Sequence, residues 1–142
     1  MKSHTTPMSV STDRKQQILN ITERVAGIIR DSGVRDGFVG IYSQHTTAAL
    51  FVSEYQPALI DDVMEFLGRV VQDGLPYKHN SPEFSDCERK NAASHLRSLL
   101  FSHGVMLPLS DFKPIMGQFQ SVIFAELDGP RERTLQVQIL GE

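Results

Sequence analysis

Within residues 133–140, apolar Leu135, Val137 and Ile139 alternate with polar Thr134, Gln136 and Gln138. A period of two places the two sets on opposite faces of a β-strand, so this segment requires a sheet with one face on a core and the other in water. A different pattern fills residues 37–53, GFVGIYSQHTTAALFVS, which is β-branched and aromatic, lacks proline, and is apolar at both odd and even positions. It reads as one or two strands covered on both faces, with His45 interrupting them. Residues 105–109 and 120–127 read as further strands, and DGPRER at 128–133 reads as the turn joining the final two.

Helical spacing governs the stretches between. Residues 18–33 carry Ile18, Ile21, Val25, Ile28 and Ile29 as one stripe, with Asn20 or Thr22 available as N-cap and Gly33 as the stop. In residues 56–74 the stripe is Ile60, Val63, Met64, Leu67 and Val71, opened by Pro57 and closed by Gly74. The irregular LPYKHNSPEFSDCERK precedes a third helix, KNAASHLRSLLFSHG, whose inward side is expected to be Leu96, Leu99 and Leu100, with His103 in its last turn and Gly104 after it. Helices and strands mix without a βαβ rhythm, which predicts an α+β fold with mixed or antiparallel sheets. At 142 residues with 40% hydrophobic content, the chain suits one compact domain, residues 1–142, and the polar residues 1–12, His4 included, are expected to form a flexible N-terminal segment.

Charge and cysteine content narrow the function. A formal net charge of -3 offers no basic face for nucleic acid. Cys87 is the single cysteine, which excludes an internal disulfide and a thiolate metal pair and fits a reducing compartment. The first ten residues lack the apolar core of a signal peptide, and no run reaches the roughly 20 apolar residues of a membrane span, so the expectation is a cytoplasmic protein without a membrane partner. No Gly-rich phosphate loop and no G-x-S-x-G elbow occurs.

The chemistry concentrates in His45, His79 and His95. Neutral imidazole is a common zinc ligand, and three of them would leave a coordination position open for water or substrate oxygen. Their separations of 34 and 16 residues match no local metal motif, so hydrogen-bonded core or loop roles stand beside the metal reading. Glu126 shares a strand face with Val122 and Phe124, where a carboxylate needs a partner. It is either a general base or acceptor for an imidazole N–H, or one half of a salt bridge with Arg131 or Arg133. Asp61 and Asp62 lie off the apolar stripe of their helix, as solvated residues do.

Taken in order, HTTAAL, SE, the Asp of IDDV, YKH, NAASHL, GQFQ and FAELDGPRER resemble the YjbQ-like family, often labelled secondary thiamine-phosphate synthase. The resemblance runs from about Ile18 to Gly141. It implies a compact α+β fold, a homotrimer, and a divalent-metal site of clustered histidines at or near a subunit interface. Carried over residue by residue, it makes His45, His79 and His95 the metal ligands. Glu54, Asp62 and Glu126 take catalytic positions, and Gln120 and Arg131 take ligand-binding ones. Ser53 and Tyr55 replace the asparagines that flank the family's usual glutamate, and Phe119 stands where the family carries tryptophan, keeping an aromatic wall without the indole N–H donor.

The expected activity is the joining of a pyrimidine diphosphate to a thiazole phosphate with release of pyrophosphate. The expected cofactor is a divalent ion, zinc by ligand type or magnesium for a diphosphate substrate, and the expected partner is a small phosphorylated molecule. Two alternatives remain open from the residues: a metal-dependent hydrolase of small phosphate esters, and a non-catalytic trimer that binds a metal or ligand.

Overall fold

A computed structural model describes residues 1–142 as two antiparallel sheets and three helices. In chain order these are β1 (Lys2–Ser11), β2 (Gln17–Asn20), α1 (Thr22–Ser32), β3 (Gly37–Ser43), β4 (Ala48–Ser53) and α2 (Pro57–Val70). A short 3₁₀ turn at Lys78–Asn80 follows, then α3 (Ala92–Ser98), β5 (Gly104–Ser110), β6 (Lys113–Pro114), β7 (Ser121–Glu126) and β8 (Glu132–Gly141). The larger sheet runs β1-β8-β3-β5-β6 and the smaller β2-β7-β4. The chain is α+β, as its pattern requires.

The alternation in β8 works as expected: Leu135, Val137 and Ile139 are buried. They join Met8 and Val10 of β1, Val39 and Ile41 of β3, and Leu107 and Leu109 of β5 in the main core. The facing wall is Leu50 of β4, Val122 and Phe124 of β7, and Val25 and Ile29 of α1. On the reverse side of the small sheet, Ala49, Ile123, Ala125 and Leu127 meet Leu67 of α2 in a second core. The small sheet is therefore the middle layer, which explains why β4 and β7 are apolar at both parities. The run at 37–53 divides into two strands that belong to different sheets. Only β4 is covered twice; on β3, Phe38 and Tyr42 point away from the core and are 54% and 55% exposed.

Several expectations need correction. Residues 1–12 are not a loose tail: residues 2–11 pair with β8 throughout, from Lys2 opposite Gly141 to Ser11 opposite Glu132, and bury Met8 and Val10. Ile18 lies in β2 and not in α1. Asn20 nonetheless secures the helix start, its Oδ1 accepting from the Thr22 amide at 3.1 Å and the Thr22 hydroxyl at 2.6 Å, and Gly33 closes the helix in the left-handed conformation. The third helix is short, and its inward face is Ala92, Ala93, Ser94, Arg97 and Ser98, whereas Leu96, Leu99 and Leu100 face outward. Polar bonds decide the inner face, with Ser94 and Ser98 bonded to the Leu127 and Ala48 carbonyls and Arg97 to the Val71 carbonyl. His103 lies beyond the helix. No helix is long and apolar enough to cross a membrane.

Gly129, in the β7–β8 turn, has no room for a side chain: an added Cβ would stand 2.2 Å from the Arg14 carbonyl oxygen and 2.9 Å from the Thr12 hydroxyl. Gly68, in the interior of α2, meets nothing within 4 Å. Gly129→Ala should therefore lower stability by about 1–3 kcal/mol through overpacking, and Gly68→Ala should raise it by about 0.5–1 kcal/mol through helix propensity. Urea unfolding of both variants reads the opposite signs directly.

Candidate functional site

The site is built where β7 ends and the 3₁₀ turn meets α3. Asn80 accepts from the Ala92 amide at 3.0 Å, joining the turn to the helix start. The inner face of α3 is anchored by polar bonds: Ser94 donates to the Leu127 carbonyl at 2.6 Å and Ser98 to the Ala48 carbonyl at 2.7 Å. Buried Arg97 donates through Nη2 to the Val71 carbonyl at 2.7 Å, where α2 ends. With that face fixed, His95 projects to the other side and meets His79 edge to face, the ring centroids 4.9 Å apart at 83°. Tyr77, Lys78, His79, Ala92, His95 and Leu96 line an open cavity of about 380 Å³.

Behind His79 lies a chain of polar groups. His79 Nε2 is 3.0 Å from Asn91 Oδ1, and Asn91 Nδ2 donates to Asp128 Oδ2 at 2.8 Å. Arg89 Nε and Arg131 Nη2 also donate to Asp128 Oδ2, at 3.0 Å and 2.8 Å. Burial raises the Asp128 pKa, but hydrogen bonds from Arg89 and Asn91 and the two guanidinium charges outweigh it, so the carboxyl is held below its ordinary value. His95 moves down because burial and the neighbouring His79 both disfavour its cation, which leaves it neutral near pH 7.

His45 does not join this pair as a third ligand, although the Thr46 backbone beside it is hydrogen-bonded to His95. It lies in the connection between β3 and β4, and its Nε2 faces the β8 backbone, 3.1 Å from the Thr134 amide and 3.2 Å from the Thr134 carbonyl. A bare Nε2 accepts from the amide and a protonated one donates to the carbonyl, so this nitrogen is committed to β8 in either state. Burial and then Arg133 lower its pKa. Within one chain, then, the three-histidine ligand set does not assemble, and no group of three His, Cys, Asp or Glu side chains is placed to hold a metal ion. His79 and His95 are two imidazoles that could ligate together.

Glu126 realises the salt-bridge alternative, with Arg133 as its partner and not Arg131. Both residues are fully buried, and Arg133 Nε lies 2.9 Å and 3.1 Å from the two carboxylate oxygens. Thr12 donates to Oε1 at 2.8 Å and the Asp128 amide to Oε2 at 3.2 Å, while Arg133 Nη2 also reaches the Thr47 hydroxyl at 2.9 Å. Burial raises the Glu126 pKa, and hydrogen bonds from Arg133, Thr12 and the Asp128 amide bring it below its ordinary value. Arg131 instead pairs with Asp128.

The remaining expected site residues lie elsewhere. Glu54 follows β4 directly and Gln120 precedes β7, with Gln120 Oε1 accepting from the Gly117 amide at 2.8 Å. Because Ser53 pairs with Ser121 while Ala48 pairs with Glu126, they sit at the opposite end of the small sheet from Asp128. Six strand residues separate the ends, about 20 Å at the usual rise. Asp62 is exposed on α2. Sequence reasoning missed Asn91 and Asp128 as a pair: Asp128 looks like an ordinary turn residue, and the usable signal was an acid directly after a fully buried strand, flanked by arginine.

The fold and site define a class, a two-sheet α+β domain with a histidine-lined pocket beside the turn between its last two strands. Residues 6–142 match the profile described as UPF0047 protein YjbQ-like, and the chain belongs to that family. A UPF0047 protein of Methanothermobacter thermautotrophicus is 33% identical over 142 residues, covering 100% of this chain and 95% of its own. The UPF0047 protein YugU of Bacillus subtilis is 26% identical over 134 residues, covering 94% of this chain and 97% of its own. Among solved structures, a YbjQ-like protein of unknown function from Sulfolobus solfataricus P2 superposes with a TM-score of 0.90 at 31% identity, covering 99% of both chains. A hypothetical protein from Aeropyrum pernix K1 gives 0.88 at 34% identity, covering 98% of this chain and 99% of its own.

Both lowered carboxyls predict an acid-labile fold. A carboxyl whose folded pKa lies below its unfolded value contributes stability that is present above the ordinary carboxylate range and lost as pH falls through the lowered folded value. The melting temperature should therefore drop steeply on acidification. Glu126→Gln, which leaves Arg133 buried without its counter-ion, should cost about 3–5 kcal/mol at pH 7 and flatten that acid limb. Thermal melts between neutral and acid pH check both effects.

Proposed function

We propose that this protein binds a small phosphorylated molecule in the His79–His95 pocket and there joins a pyrimidine diphosphate to a thiazole phosphate. The observation that carries the reading is the composition of the pocket: two imidazoles in mutual contact, a lysine beside them, and an arginine partly exposed behind. Such a set offers several donors to phosphate oxygens and one neutral imidazole able to accept a proton. Lys78 rests over the Phe84 ring, 5.4 Å from its centre, at the rim. A divalent ion such as zinc fits this reading only in part. His79 and His95 would supply two ligands, and the rest must come from phosphate oxygens, water or another copy of the chain.

A second copy is part of the proposal. Glu54 and Gln120 act in the same site as the histidines only if a neighbouring chain brings the far end of its small sheet to this pocket. The outward Phe38, Tyr42 and Met106 of the large sheet, and Leu99 and Leu100 just after α3, supply apolar surface for such contacts. We take the assembly to be a homotrimer. Sedimentation at micromolar concentration should give three times the chain mass of 15.9 kDa, and a monomer mass refutes the shared site.

Activity is tested by mixing the pyrimidine diphosphate and the thiazole phosphate, together and singly, with and without zinc or magnesium. Pyrophosphate release only when both are present supports joining; release of phosphate from either alone makes the protein a hydrolase. In titration calorimetry with inorganic pyrophosphate, His95→Ala and Lys78→Ala should each weaken binding about 10- to 150-fold, the range for losing one charge-assisted hydrogen bond. Wild-type protein that binds no pyrophosphate with either metal overturns the proposal.

A further inference from the structure

Asp128 does not touch the pocket, yet the polarity of its hydrogen bonds reaches the pocket through one amide. It accepts from two guanidinium groups, Arg89 at 3.0 Å and Arg131 at 2.8 Å, and its exposure is only 4%. A carboxylate in that setting is ionised and has no hydrogen to give, so the group facing it from Asn91 must be the NH2 and not the carbonyl. The Asn91 side chain, 5% exposed, is thereby fixed with Oδ1 toward His79. The Cys87 thiol approaches the same oxygen at 3.9 Å, a second donor on the acceptor side. Oδ1 only accepts, so the His79 nitrogen 3.0 Å away must carry a proton.

We infer that Asp128, acting through Asn91, is a positioning residue that holds His79 as the Nε2–H tautomer, so that Nδ1 is the nitrogen His79 has for ligand, proton or metal. Each link follows from which atoms can donate, and a neutral or a protonated ring keeps Nε2–H alike. The second ring nitrogen is thereby assigned the chemistry, in the way a carboxylate behind a histidine selects the working nitrogen at many sites. The consequence is specific to this chain's residues: an amide relays the polarity of a carboxylate that two arginines hold in its ionised form.

The inference bears on the pocket proposed above, but it is read without any ligand. Long-range proton–nitrogen correlation spectra of the full-length, nitrogen-15-labelled protein, above the imidazole titration range, assign each histidine tautomer. His79 should be a single Nε2–H species. In Asp128→Ala the Asn91 NH2 loses the oxygen it shares with Arg89 and Arg131, freeing Asn91 to turn, and His79 should become a mixture or pass to Nδ1–H. Asn91→Leu removes the acceptor against Nε2 with Asp128 left in place, and should release the tautomer in the same way. A purely structural Asp128 would lower the melting temperature and leave the tautomer alone. A wild-type His79 protonated on Nδ1 overturns the inference, as does a folded Asp128→Ala protein with the tautomer unchanged; if that variant fails to fold, the wild-type and Asn91→Leu spectra decide. A protein that binds no pyrophosphate but shows His79 as Nε2–H loses the proposed function and keeps this inference.

Discussion

The buried pair of Glu126 and Arg133 joins segments that sequence order keeps far apart. Glu126 ends β7 and Arg133 begins β8, so the pair closes their connection. Through Thr12 it also holds the turn after β1, and through Thr47 it holds the start of β4. Both sheets and three of the connections between them, β1–β2, β3–β4 and β7–β8, meet at this one ion pair. Its desolvation is costly, and it is tolerated because the carboxylate accepts from Arg133, Thr12 and a backbone amide at once; no buried side-chain nitrogen or oxygen is left without a partner. The stability this adds over an apolar substitute is small by general experience, so its main effect is on register: β7, β8 and the β3–β4 connection can combine in one way.

The same connection carries a second, outer pair. Asp128 and Arg131 lie between Glu126 and Arg133, and they face the pocket side where the inner pair faces the core. Gly129 lets the backbone pass against the Arg14 carbonyl. Structure and site thus share one short stretch of chain, with the inner residues locking the sheets and the outer ones setting the polarity around His79.

Much of this was legible in the sequence where a pattern repeats. The alternation in β8, the double-sided run in β4, the stripe on α2 and Gly33 after α1 all report the local period of burial. The division at His45 was partly visible, as an interruption, but which sheet each half joins depends on long-range pairing. On α3 the rule that leucine goes inward failed, since the helix is held by serine and arginine side chains to carbonyl groups. In the site, His79 and His95 were found by residue type and family resemblance. The place of His45 and the partner of Glu126 were not, because each depends on a backbone edge or a competing arginine that spacing cannot rank. Asp128 was missed since a turn aspartate and a buried triple acceptor look alike in one dimension.

The way α3 is attached has a dynamic consequence. A helix held by apolar contact loses its grip gradually as it shifts, whereas one held by serine hydroxyls and a guanidinium on three carbonyl groups is either seated or released. Its buried apolar side chains are only those of Ala92 and Ala93, and elements with few apolar contacts are the ones that open locally while the rest of a fold stays paired. His95 rides on that helix. His95 and the lining of the pocket would therefore move with α3 if it lifted, and the same geometry would return when the three bonds re-form.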